Sequence, residues 1–75
     1  MTLQEFLDSF VEKGDIAVYL EHKSNYQGFI RKNDTGVKLN FSLGNYSELK
    51  TCEVTSVFAE LENDLPLIAL VVKEK

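Results

Sequence analysis

A chain of 75 residues with 44% hydrophobic and 27% charged residues has the composition of one small globular domain, which excludes a disordered tail or a low-complexity linker. One cysteine, Cys52, and one histidine, His22, exclude an internal disulfide and a Cys/His zinc site, and no apolar run is long enough for a transmembrane helix. The formal net charge of −4 gives no overall pull toward nucleic acid, but it is unevenly spread, with a basic island at residues 22–50 between acidic flanks.

Thr2 and Glu5 have the spacing of a capping box, in which a threonine and a glutamate three residues on satisfy each other's backbone amides. Leu3, Phe6, Leu7, Phe10 and Val11 then recur at helical spacing. This predicts an amphipathic helix over 3–13 with its apolar stripe buried on a sheet, Lys13 in its last turn and Gly14 just past its end. The early acids Glu5, Asp8 and Glu12 argue against a signal peptide and against an anionic membrane surface.

Residues 15–21 alternate, with Ile16, Val18 and Leu20 on one side, and predict a first strand. His22-Lys23-Ser24-Asn25 is a polar break. Residues 26–32 predict a second strand, with Tyr26, Gly28 and Ile30 on one face and Gln27, Phe29 and Arg31 on the other; Gly28 marks a bulge, a bend or a close backbone approach. Asn33-Asp34-Thr35-Gly36 is a turn. In residues 37–43, Val37, Leu39, Phe41 and Leu43 point inward and Lys38, Asn40 and Ser42 outward, which completes a hairpin.

After a break at Gly44-Asn45-Tyr46-Ser47, residues 48–61 fit two patterns. Val54, Val57, Phe58 and Leu61 have helical spacing, while the β-branched Thr51, Val54, Thr55 and Val57 favour a strand; the strand is preferred and the helix stays open. Glu62-Asn63-Asp64 is a turn. Leu67 to Val72 is apolar at every position and predicts a strand covered on both faces.

The expected fold is α+β: a single domain, residues 1–75, with an N-terminal amphipathic helix followed by a five-stranded antiparallel meander, as a strongly bent sheet or a half-open small barrel. A helical 48–61 would leave four strands and two helices. The element order, with Gln27-Gly28-Phe29-Ile30-Arg31, resembles the second strand and topology of Sm-like small barrels; no functional residue is carried over from them.

No catalytic set assembles on the sequence. The four glycines are too scattered for a phosphate loop. Ser47-Glu48-Leu49-Lys50 matches the Ser-x-x-Lys nucleophile pattern, but reads as a loop serine capping the next element. Cys52 reads as a small buried hydrophobe and His22 as an exposed turn residue. Glu60, Glu62 and Asp64 could hold a divalent ion, but read as a solvated turn that discourages edge pairing. No metal, cofactor or catalytic residue is assigned.

The basic island supplies candidate binding residues: Tyr26, Phe29, Arg31, Lys38 and Asn40 combine stacking rings, cations and an amide. By elimination, the chain reads as a small non-catalytic cytoplasmic protein that binds another protein, inhibitor-like or adaptor-like. A homodimer is expected because a core this small, without disulfide or metal, has oligomerisation left as its staple, and because Val37 to Leu43, Val54 to Leu61 and Leu67 to Val72 offer more strand surface than one short helix can cover, leaving an apolar face or an unpaired edge for a two-fold partner. The alternative is a single-stranded nucleic-acid binder using strands 26–42.

Overall fold

The computed structural model describes residues 1–22, 26–40 and 43–74. In chain order they form α1 (Leu3–Phe10), β1 (Gly14–Leu20), β2 (Tyr26–Asn33), β3 (Gly36–Leu39), α2 (Tyr46–Leu49), β4 (Glu53–Glu62) and β5 (Leu65–Lys73). The strands build one five-stranded sheet in the order β3-β2-β1-β5-β4.

The α+β class and the leading helix are as expected; the antiparallel meander is not. β1 and β5 run parallel, from Ile16 opposite Ile68 to Leu20 opposite Val72, and the other neighbours are antiparallel. The chain leaves the sheet after Leu39, returns as β4 on the far side of β1, and turns back so that β5 fills the slot between them. β5 lies between β1 and β4, so both of its edges are paired, and Ala69, Leu70 and Val72 are buried. The expected cover on both faces is incomplete: the helices lie on one face only, Ile68 is 42% exposed, and Leu67 and Val71 are half-buried. Outer strands β3 and β4 do not pair with each other, so the sheet is not closed into a barrel.

The capping box at α1 is present in both directions: the Glu5 amide donates to Thr2 Oγ1 at 3.2 Å and the Thr2 amide to Glu5 Oε1 at 2.9 Å. The helix ends at Phe10, three residues earlier than its apolar spacing predicts. Val11 is already extended and buries its side chain. The lysine at the negative helix end is Lys32 of β2, not Lys13: its Nζ donates to the carbonyls of Leu7 at 2.7 Å and Val11 at 2.6 Å, which places a cation at the carbonyl end of the helix. Leu3, Phe6, Leu7 and Val11 pack in one core with Ile16, Val18, Leu20, Ile30, Leu70 and Val72. Phe10 departs from the expected stripe. It is 64% exposed and rests on the Phe6 ring, with centroids 5.3 Å apart.

The ambiguous stretch divides. Tyr46–Leu49 is one helical turn anchored by buried Leu49 and capped by Asn45, whose side chain accepts from the Ser47 amide; the cap is therefore Asn45 rather than Ser47. The β-branched part becomes β4. At the β4–β5 turn, Asn63 and Asp64 take φ of 50° and 64°, the left-handed values of a two-residue hairpin turn, which short polar side chains tolerate. β3 ends at Leu39; the expected inward Phe41 and outward Ser42 lie outside the described residues, as does the break at residues 23–25.

Gly28 is a place of close approach. Its φ is +154°, and a Cβ there would collide with the Asn40 carbonyl oxygen and come within 3.2 Å of the Leu43 side chain. The β1–β2 register also shifts beside it, with Val18 opposite Gly28 and Tyr19 opposite Tyr26, so the expected bulge is present.

Removing buried Leu7 should therefore hurt far more than removing Phe10. Leu7→Ala is expected to cost about 2–5 kcal/mol and Phe10→Ala under about 1 kcal/mol, read from urea denaturation midpoints. Equal losses would place Phe10 in the core.

Candidate functional site

Each strand of the sheet has two faces, and the helices cover one. The opposite face carries Asp15, Ala17 and Tyr19 from β1 beside Arg31 and Phe29 of β2, with Lys38 of β3 opposite Arg31. On the other flank it carries Ala69 of β5 and Phe58 of β4. Ala17 and Ala69 are small, buried and paired at the centre. They form a low floor between Phe29 on one side and Phe58 and Tyr19 on the other. The Tyr19 and Phe58 rings lie 5.8 Å apart, and the Tyr19 hydroxyl donates to Glu60 Oε1 at 2.5 Å.

Four of the five sequence-predicted binding residues come together. Phe29, Arg31, Lys38 and Asn40 line, with Leu39, a shallow groove of about 200 Å³, and the Arg31 guanidinium stands over the Phe29 ring at 5.5 Å, a cation–π arrangement. Tyr26 belongs to β2 by its backbone; its side chain lies outside what is described.

The basic island is less free than its composition suggests. Arg31 donates to both carboxylate oxygens of Asp15, at 2.8 and 3.2 Å. That contact holds the Asp15 carboxyl below the usual range and raises the guanidinium further. Lys32 is engaged at the end of α1. A second, larger groove of about 500 Å³ on the same face is lined by Asp15, Phe29, Arg31, Glu62, Asn63, Leu65 and Leu67. It mixes apolar walls with acids of both flanks.

The catalytic alternatives do not assemble. The Ser47 hydroxyl donates to Asn45 Oδ1 at 2.9 Å, and Lys50 is the C-cap of α2. Cys52 is buried, with its thiol 3.6 Å from the Glu48 carbonyl, whereas exposed His22 lies 3.7 Å from Glu74. Among the described residues no group of three or more His, Cys, Asp or Glu side chains could hold a metal ion. Glu60 is a partner of Tyr19 rather than a solvated turn residue.

A second surface is formed by the apolar strands 54–61 and 67–72, whose area one short helix does not cover. The distal part of the β4–β5 hairpin extends past the helices, leaving Val57, Leu61 and Ile68 exposed on the helix side and Phe58 and Leu65 on the other, with Leu61 72% and Leu65 66% accessible. The signal in the sequence was the segment from Thr51 to Val72, which holds Glu53, Glu60, Glu62 and Asp64 and no basic residue. No family model, curated protein or solved structure matches the chain.

The Asp15–Arg31 pair makes a pH prediction. A carboxyl whose folded pKa is depressed contributes stability that is present above its unfolded pKa and lost as pH falls through the folded value. Glu5, lowered by its bonds to Thr2, acts in the same sense. The denaturation midpoint should thus fall as pH drops below about 4, and Asp15→Asn should flatten that fall. An unchanged acid slope in Asp15→Asn would show that the pair contributes nothing.

Proposed function

We propose that the protein is a small non-catalytic module that works inside the cell by binding another protein, and that the β4–β5 hairpin is its binding surface. The observation that carries this reading is the helix-side row of the hairpin. Val57, Leu61 and Ile68 are exposed there, beside Ala59 and Pro66 in the same register row, without one charged group. Single exposed apolar residues are ordinary; a row on one strand pair marks an interaction surface.

The same row suits a homodimer. Two copies can stack their helix-side faces as sheets pack in a sandwich. Glu60 and Glu62 lie on the opposite face, paired with Leu67 and Leu65, and Glu53 pairs with Lys73 at the far end of the hairpin, so the acidic charge near the row stays out of the contact.

A second reading is single-stranded nucleic-acid binding in the Phe29, Arg31, Lys38 and Asn40 groove. It is favoured by the stacking of Arg31 on Phe29, and it is opposed by Asp15 and Glu62, which line the neighbouring groove on the same face.

Sedimentation at micromolar concentration tests the first reading. The protein should run near twice its 8.5 kDa chain mass, and Leu61→Asp with Ile68→Asp should return it to a monomer. A wild-type monomer at every concentration contradicts the dimer. Sub-micromolar, salt-sensitive binding to an oligonucleotide, lost in Arg31→Ala, would favour the second reading.

A further inference from the structure

β4 is the long outer strand of the sheet, and its outer edge is only partly used. The N-terminal residues cover its beginning: Thr2 bridges to Glu53, and the Val54 amide donates to the Met1 carbonyl at 2.9 Å. Among the described residues, nothing pairs with that edge from Ser56 to Glu62. The other outer strand, β3, is four residues long and carries Lys38. Natural sheets guard their edges with short strands, lysines, prolines or bulges. β4 has a register shift between Val54 and Ser56; beyond it, up to Glu62, the strand has neither lysine nor proline.

The two faces of that free edge differ in chemistry. The helix-side row is Val57, Ala59 and Leu61, and the opposite row is Ser56, Phe58, Glu60 and Glu62. A strand laid along it places alternate side chains on the two faces. One set would meet Val57 and Leu61, the other Glu60 and Glu62. The β4–β5 hairpin, Glu53 to Lys73, has four acids and one base, Lys73 at its far end from Glu60 and Glu62, so most of the protein's net charge of −4 sits on it. A second β4 would bring two more glutamates onto the face that already holds Glu60 and Glu62, and like charges across strands are destabilising.

We infer that the free edge of β4 accepts an extended strand of a partner protein in which apolar residues alternate with lysine or arginine. The partner strand continues the sheet through backbone hydrogen bonds, its apolar side chains join the helix-side row, and its cations pair with Glu60 and Glu62. This rests on the protein-binding reading above and names the chemistry of what is bound.

The test uses the full chain, isotopically labelled, and short blocked peptides of about nine residues, comparable with a recognition strand, alternating valine with lysine, threonine or glutamate. The valine–lysine peptide should protect amides of residues 56–62 from exchange. At low salt it should bind about tenfold more tightly than the valine–threonine peptide, the combined effect of two exposed ion pairs. That advantage should vanish in Glu60→Gln with Glu62→Gln, a pair of changes that keeps the side-chain shape and an acceptor for Tyr19. The valine–glutamate peptide should not bind.

Equal binding of the lysine and threonine peptides at β4 would overturn the cationic selection and leave the hairpin as a binding surface. Absence of protection at 56–62 with every peptide would overturn the strand-addition proposal, and the hairpin reading with it if Leu61→Asp with Ile68→Asp also leaves sedimentation unchanged. Concentration-dependent protection of 56–62 without peptide would overturn the proposal in favour of a second copy on that edge.

Discussion

One short helix has to cover a five-stranded sheet, and it is too small. An eight-residue helix is about 12 Å long and about 10 Å across. The outer strands of five lie about 19 Å apart, and a ten-residue strand such as β4 runs about 33 Å. α1 therefore seals the centre, where Val18, Ile30, Leu70 and Val72 are buried beneath Leu3 and Leu7. The hairpin beyond Val57 is left uncovered. The exposed row follows from that mismatch of sizes; the open face follows from helices on one side of the sheet, and the free edge from β4 being its last strand.

The same mismatch explains the contacts that hold α1 in place. A helix of two turns has few side chains to anchor it, so its ends carry much of the attachment. The bridge of Thr2 to Glu53 and the amides of Leu3 and Gln4, donating to the carbonyls of Cys52 and Lys50, hold the start. The ammonium of Lys32, reaching across from β2, holds the end. A lysine that composition counts as part of a basic island is thereby a structural group, and Arg31, bound to Asp15, is largely another.

Local patterns were legible and long-range pairing was not. The capping box, the alternation of β1 and the Asn63-Asp64 turn each depend on residues close in sequence, and the structure has them; Gly28 announced a close approach without naming Asn40 and Leu43, which make it. The parallel partnership of β1 with β5 joins residues about fifty positions apart. Its one local trace was the unbroken apolar run of Leu67 to Val72, which implied cover on both faces without naming the neighbours. The end of α1 was misplaced because Phe10 and Val11 continue the helical spacing, while Lys32, which terminates the helix, is remote. That Phe29, Arg31, Lys38 and Asn40 lie together was legible because a two-strand hairpin brings alternate residues side by side, Asn40 continuing the pairing just past β3 through its amide bond to the Phe29 carbonyl. The apolar supply of 54–61 and 67–72 already exceeds what one short helix can cover, but which residues stay exposed, Val57, Leu61 and Ile68, depends on how far the helix reaches.

The central claim is that the helix side of the β4–β5 hairpin is uncovered in the single chain and closed by association. Solvent paramagnetic relaxation of side-chain methyl groups, measured by NMR over a dilution series, reads this directly. In dilute protein the methyls of Val57, Leu61, Leu65 and Ile68 should be strongly broadened by a soluble paramagnetic chelate, and those of Leu7, Val18 and Leu70 should not. On concentration, Val57, Leu61 and Ile68 should become shielded while Leu65, on the other face, stays broadened. Shielding of Leu61 and Ile68 equal to that of Leu70 in the dilute protein would contradict the account.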